Sequence, residues 1–197
     1  MYHFKAERNL LGSVLIVIAL VSCATQVKRS HFSPVFITDR VQYILLPARE
    51  MEKEVDGVQR ITGKFGDQVF VMEAWVKADK SGIDMAFFNS FGAGLGNFSF
   101  NDEAVSLNSP VFPQNLKAEY LAADFQFCFF NFYALKQTLE NLGLVFELSR
   151  EDENGADTEI RRIAEGKNII IEIEKTANQV RYMNFLRGYS YTLDGDF

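Results

Sequence analysis

Residues 58–78, "VQRITGKFGDQVFVMEAWVKA", hold two alternating runs around Gly66-Asp67. Phe70, Met72, Ala74 and Val76 share one parity, Glu73 and Lys77 the other, which predicts a β-hairpin with one buried face. The same rhythm continues outward in "GIDMAFFNSFGAGLGNFSFNDEAVSL" (82–107), predicting strands near 83–90, 95–100 and 103–107 with Asn101-Asp102 as a tight turn. It returns in the last third: "LVFELSR", the polar hairpin "EDENGADTE", "IRRIA", "NIIIEIEK", "QVRYMNF" and "GYSYTL". There Ile169, Ile171 and Ile173 are expected to face the core.

Between the two β regions lies the one helical stretch, about 116–142, beginning after "SPVFPQ". Leu135, Leu139 and Leu142 repeat at helical spacing there, and Gly143 stands where a C-cap belongs. Strands, two short helices, strands: this order predicts a mainly β (α+β) domain. The expected form is a curved antiparallel half-barrel with short helices on its concave face, because so many strands must curl, close or be covered.

The chain has 197 residues, 48% hydrophobic and 23% charged, with mean hydropathy −0.04. That is a globular composition of one-domain size. The N-terminus differs in kind. Lys5 and Arg8 precede the apolar run Leu10 to Val21, 12 residues, short of the roughly 20 that span a bilayer. "LVSC" (Leu20 to Cys23) resembles the bacterial lipobox. The resemblance implies a lipoprotein signal peptide over residues 1–22, diacylglyceryl transfer to Cys23, cleavage before it and N-acylation. Several acyl chains, at ~0.8 kcal/mol per buried methylene, make a stable anchor. Residue 24 is Ala rather than an inner-membrane-retaining Asp, which implies outer-membrane sorting with the domain in the periplasm. Residues 23–40 are then the lipidated cysteine and a polar tether, and 41–197 a single domain.

Loss of residues 1–22 leaves 18 basic and 25 acidic residues, a net charge of −7. Nucleic acid is therefore not an expected partner. With Cys23 lipidated, Cys128 has no disulfide partner and stability rests on the core.

Catalytic chemistry has little material. One histidine, His31, remains after cleavage, so Ser-His-Asp, Cys-His and His/Cys metal sets lack members, and no cofactor is implied. Carboxylate pairs exist in Glu172/Glu174 and Glu151/Asp152/Glu153, but on a polar strand face and in a solvated turn. Gly92, Gly94 and Gly96 imitate a phosphate loop yet lie between two β runs, where a bend or bulge suits them better.

The most unusual string is "DFQFCFFNFY" (124–133). Cys128 within it has no adjacent cation to activate it and reads as a small hydrophobe. On one helix Phe125, Phe129 and Phe132 share a face while Phe127 and Phe130 turn elsewhere, so the segment must be buried on more than one side or meet a ligand.

Three strings together resemble the domain of unknown function 3261 family of bacterial lipoproteins: Thr62-Gly63-Lys64-Phe65-Gly66, Asp124-Phe125-Gln126, and Asn184-Phe185-Leu186-Arg187-Gly188-Tyr189. One departure is that Phe130 is followed by Asn131, where the family often has an aromatic-proline pair. The family is similar to the lipoprotein carrier LolA and receptor LolB. That implies an open half-barrel lined with apolar side chains, holding acyl chains without catalysis, and a role in transport or localisation of a lipid-linked product. The candidate ligand lining is Phe70, Met72, Trp75, Met85, Phe87, Phe98, Phe100, Phe125, Phe129 and Phe132. Expected partners are the membrane, through Cys23, and an acyl or lipid ligand. The alternatives are a scaffold lipoprotein that binds a protein partner and, more remotely, a carboxylate-dependent hydrolase.

Overall fold

A computed structural model describes residues 32–113, 115–153 and 156–197, the side chains of 153 and 156 excepted. The expected signal peptide, Cys23 and the first part of the tether lie outside the described residues.

Ten strands form one antiparallel sheet: β3 (Val55–Phe65), β4 (Gln68–Asp79), β5 (Gly82–Phe88), β6 (Gly94–Phe100), β7 (Val105–Asn108), β8 (Val145–Glu153), β9 (Ala156–Glu165), β10 (Asn168–Lys175), β11 (Gln179–Asn184) and β12 (Tyr189–Asp194). Their order is β7-β6-β5-β4-β3-β12-β11-β10-β9-β8. Two meanders are thus stitched along one seam, β3 against β12. The expected mainly β class with two short helices is found. The strong curvature is not: the sheet is neither closed nor strongly curled, and β7 and β8 are its edges. Cover replaces closure as the means of hiding the apolar face.

Cover comes in two layers. The helical stretch divides into α1 (Ala118–Phe129) and α2 (Phe132–Asn141), broken at Phe130-Asn131. Asn131 caps α2 by accepting from the amides of Tyr133 and Ala134, which settles the entry left open by the missing proline. Gly143, at φ 83°, closes α2 as the C-cap reading expected.

Over α1 lies the segment 32–54, containing a small hairpin, β1 (Val35–Phe36) with β2 (Gln42–Tyr43), and a 3-10 turn at Ala48–Glu50. Tyr43 packs on Phe127, ring centroids 5.1 Å apart. Met51 bridges to Phe130, Glu52 N–H donates to the Phe129 carbonyl and Asn131 N–H to that of Glu50. Val35, Ile37 and Thr38 are buried. So residues 35–38, expected within the tether, are packed into the domain, and α1 is apolar all round because protein covers it on both sides.

The inner face of the sheet follows the pairing register. Val55, Ala78, Ile83 and Phe100 lie in one row, Gln59, Ala74 and Phe87 in another, and Phe146, Ile163, Ile171 and Asn184 in a third. Two irregularities matter. A register shift between Ile169 and Ile171 turns Ile170 inward and leaves Ile169 exposed, correcting the simple alternation. A second shift between Phe87 and Phe88 faces Gly94 and Gly96. Gly96 has φ 138° and a Cβ there would lie 2.4 Å from the Asn108 carbonyl oxygen, so the glycines serve a bulge.

Candidate functional site

The polar residues of "DFQFCFFNFY" decide how α1 is held. Asp124, partly buried, accepts from Tyr182 Oη at 2.6 Å and from Tyr189 Oη at 3.0 and 2.8 Å to its two oxygens. Tyr189 Oη in turn accepts from Asn184 Nδ2 at 3.3 Å. On the other side of the helix Gln126 takes the Tyr43 hydroxyl at 2.6 Å and the Leu46 amide at 3.0 Å, and donates to the Leu46 carbonyl at 2.8 Å. Asp124 fastens α1 to the sheet; Gln126 fastens the covering segment to α1. Among the described residues no buried side-chain nitrogen or oxygen lacks a partner, as low-dielectric burial demands.

Electrostatics follow from that burial. It pushes the Asp124 carboxyl up to about 7, against the two tyrosine hydroxyls that pull it down. Tyr182, Tyr189 and Tyr191 are raised well above the usual phenol range, by burial first and then by the Asp124 charge for Tyr182 and Tyr189 and by Cys128 for Tyr191. All three stay protonated donors. A cavity of about 20 Å³, room for about one water, adjoins Asp124 and is walled by Val35, Ile37, Tyr120 and Arg187 among others.

A second cluster sits under the C-terminus of α1. Arg161, only 2% exposed, donates to the carbonyls of Phe127 (3.3 Å) and Phe130 (2.8 Å), to Glu159 at 2.8 Å and to Glu52 at 3.1 Å. Lys175 reaches the Cys128 carbonyl at 3.5 Å and Glu159 at 3.2 Å. Helix ends leave carbonyls unpaired, and α1 has no cation in its last turn, so the sheet supplies two. Burial raises the Glu159 carboxyl, but Arg161 and Lys175 outweigh it and hold the group below the usual range. They do not activate Cys128: burial, with the Asp124 charge, pushes its thiol up to about 12.

The ten candidate lining residues are not brought together around one cavity. Met72, Phe87, Phe98, Phe100, Phe125 and Phe129 are buried in the core, and Met85 packs partly buried against it. Phe125 and Phe129 stack on each other at 4.5 Å, and Phe129 on Phe197 at 5.4 Å. Trp75 is on the opposite face, 40% exposed, because its parity follows Glu73 rather than Met72. Phe70 is half exposed, its ring lying across Gly63, where a Cβ would meet it at 1.9 Å. Phe132 begins α2 instead of continuing the Phe125 face, and packs on Phe146 at 5.1 Å. It lines a surface cleft of about 380 Å³ together with Lys136, Leu148, Ile160 and Arg162. Cys23 is outside the described residues. Sequence reading missed both polar clusters, although charged and amide groups inside an aromatic helix were a signal that partners must exist elsewhere.

The three quoted strings now meet. Gly63 of the first pairs with Tyr191, and Gly66 N–H approaches the Gly188 carbonyl at 3.5 Å. Phe65 stacks on Tyr189 at 6.5 Å, and Tyr189 holds Asp124. A family profile, "Protein of unknown function (DUF3261)", matches residues 56–194. The chain belongs to the DUF3261 family. In this member the family region spans the whole sheet and both helices, and leaves out β1, β2 and the 3-10 turn. No curated protein matches the chain. Among solved structures, a DUF1329 family protein from Desulfovibrio piger ATCC 29098 is similar at 9% identity, over 75% of this chain and 86% of that one, with a TM-score of 0.29.

Proposed function

We propose that this DUF3261 protein is a lipoprotein anchored in the outer membrane through Cys23, whose periplasmic domain binds an acyl chain or another hydrophobic ligand without catalysis. The observation that carries the reading is the position of residues 32–54: the segment nearest the expected anchor is the outer cover of the aromatic helix α1. Its peeling away would uncover Phe127 and Phe130, and displacement of α1 would open the apolar inner face. Ligand burial there would supply roughly 25 cal/mol per Å² of apolar surface, less the cost of moving the cover. The relation to LolA/LolB-like half-barrel carriers belongs to this same reading, with the ligand space filled by the protein's own aromatics in the unliganded state.

The test is native purification followed by mass spectrometry of extracted lipid, with uptake of a fluorescent fatty acid as the second measurement. Co-purified lipid, or saturable uptake, supports the carrier reading; a domain that is empty and takes up nothing refutes it. For the anchor, palmitate labelling of the wild type and its loss in Cys23→Ala is expected, and equal labelling of both would refute the lipobox. A second reading, a scaffold for a protein partner, is favoured by β8, an edge strand that pairs within the sheet with β9 and lies where strand addition could occur.

A further inference from the structure

Antiparallel connectivity sends the turns after β3, β5, β9 and β11 to one end of the sheet, and those after β4, β6 and β10 to the other. The two ends differ in chemistry. On the first, Phe65 (64% exposed), Val69, Phe70, Phe91 (93%), Ile169, Phe185 (55%) and Leu186 stand in or beside the turns. Three of these tips are physically continuous: Gly66 N–H approaches the Gly188 carbonyl, and Phe185 N–H donates to the Ile170 carbonyl at 2.9 Å. They carry Lys64, Lys167 and Arg187 against Asp67, Glu165 and Asp39, the last paired with Arg187 at 3.2 Å, a neutral balance on a chain of net charge −6. The opposite turns and the end of β12 with the residues after it carry Asp79, Asp102, Glu103, Asp194 and Asp196 against Lys80 and Lys175, with no exposed large apolar side chain in the turns 79–82, 100–105 and 175–179.

We infer that the apolar end, formed by the three joined tips, docks onto an anionic lipid surface. A lipid surface suits this end better than a protein groove, for two reasons. The apolar side chains sit on separate convex hairpin tips, each able to enter the headgroup layer, with Lys64 and Lys167 at the level of the phosphates. The charge asymmetry also orients the molecule, since anionic headgroups repel the acidic end and not this one.

The test places a thiol-linked, environment-sensitive fluorophore at Leu186→Cys on the apolar end or at Lys80→Cys on the acidic end. The full-length lipidated protein is then reconstituted in phosphatidylglycerol-containing vesicles bearing a lipid-attached quencher. Cys128 is buried and stays unlabelled. Quenching at position 186 is expected to exceed that at position 80 several-fold, to shrink in pure phosphatidylcholine, and to fall to the level of position 80 when Val69→Asp and Phe185→Asp are combined in a protein whose melting temperature is unchanged. If that pair unfolds the chain, Lys64→Glu with Lys167→Glu replaces it, with the same loss expected. Equal quenching at both ends overturns the inference, as does a shift at 186 that grows with protein density and needs no quencher, which would make the tips an interface between copies. Palmitate labelling keeps the two readings apart. Labelled Cys23 with unquenched tips leaves the anchor and removes the surface. Tip quenching retained in Cys23→Ala on added vesicles leaves the surface and removes the anchor.

Discussion

Asp124 on α1 and Tyr189 on β12, 65 residues apart in sequence, are joined through both carboxylate oxygens, at 3.0 and 2.8 Å. The family region folds around that contact, which binds α1, with its three phenylalanines, to the seam strand of the sheet.

A pH dependence follows. Burial raises the Asp124 carboxyl from 3.8 to about 7, so the folded chain holds this proton where the unfolded chain has lost it. The stabilising contribution is complete below about pH 4, declines as pH rises through 7 and is gone above it, by a few kcal/mol at most. Melting temperature is expected to fall between about pH 4 and about pH 7, and D124N to flatten that decline. Glu159 and Asp79 are lowered instead, so their contributions are lost only in acid, outside this window. Equal slopes in wild type and D124N would rule out Asp124 as the cause.

Arg161 is the cation that the end of α1 lacks. R161A strands the carbonyls of Phe127 and Phe130 and leaves Glu159 with Lys175 and the more distant Arg150, a loss of about 3–5 kcal/mol by analogy with other broken buried pairs. The denaturant midpoint should drop with little change in slope. A variant as stable as wild type would mean that water replaces the guanidinium.

The two faces of β4 and β5 can be told apart by substitution. Phe87 is buried on the inner face and edge-on to Phe112 at 5.3 Å, so F87A should cost about 3–5 kcal/mol. Trp75, on the outer face beside Val58 and Ala86, should cost below about 1 kcal/mol on W75A. Chemical denaturation of both variants checks the assignment, and a reversed order would put the core on the wrong face.

Cys128 should resist a maleimide in the folded protein at neutral pH and react at the rate of an ordinary thiol once unfolded, since burial holds it as a neutral thiol. Reaction of the native protein at the unfolded rate would show that α1 opens readily.

Much of this was legible in the residues. Alternation around Gly66-Asp67 located the central hairpin, and Leu135, Leu139 and Gly143 located α2, because local periodicity and cap chemistry are properties of short stretches. Trp75 belongs by parity with Glu73, and the structure puts it on the outer face, away from Met72. The other lining candidates lie apart for a different reason. Phe125, Phe129 and Phe132 share a face only on an unbroken helix, and the Asn131 cap that breaks it also turns Phe132 toward Phe146. The clusters around Asp124 and Arg161 pair residues from distant strands, and pairing order is not written in any local pattern.

The seam between β3 and β12 carries a kinetic consequence. Every other neighbouring pair in the sheet is joined by a short turn, so each meander closes loops of a few residues and can assemble on its own. The seam brings residue 65 to residue 189 and must wait until both meanders exist. Until it zips, Tyr189 has not met Asp124 and the phenylalanines of α1 stay uncovered on the sheet side. A chain stopped before the seam zips would be a pair of half-sheets with an exposed aromatic helix between them.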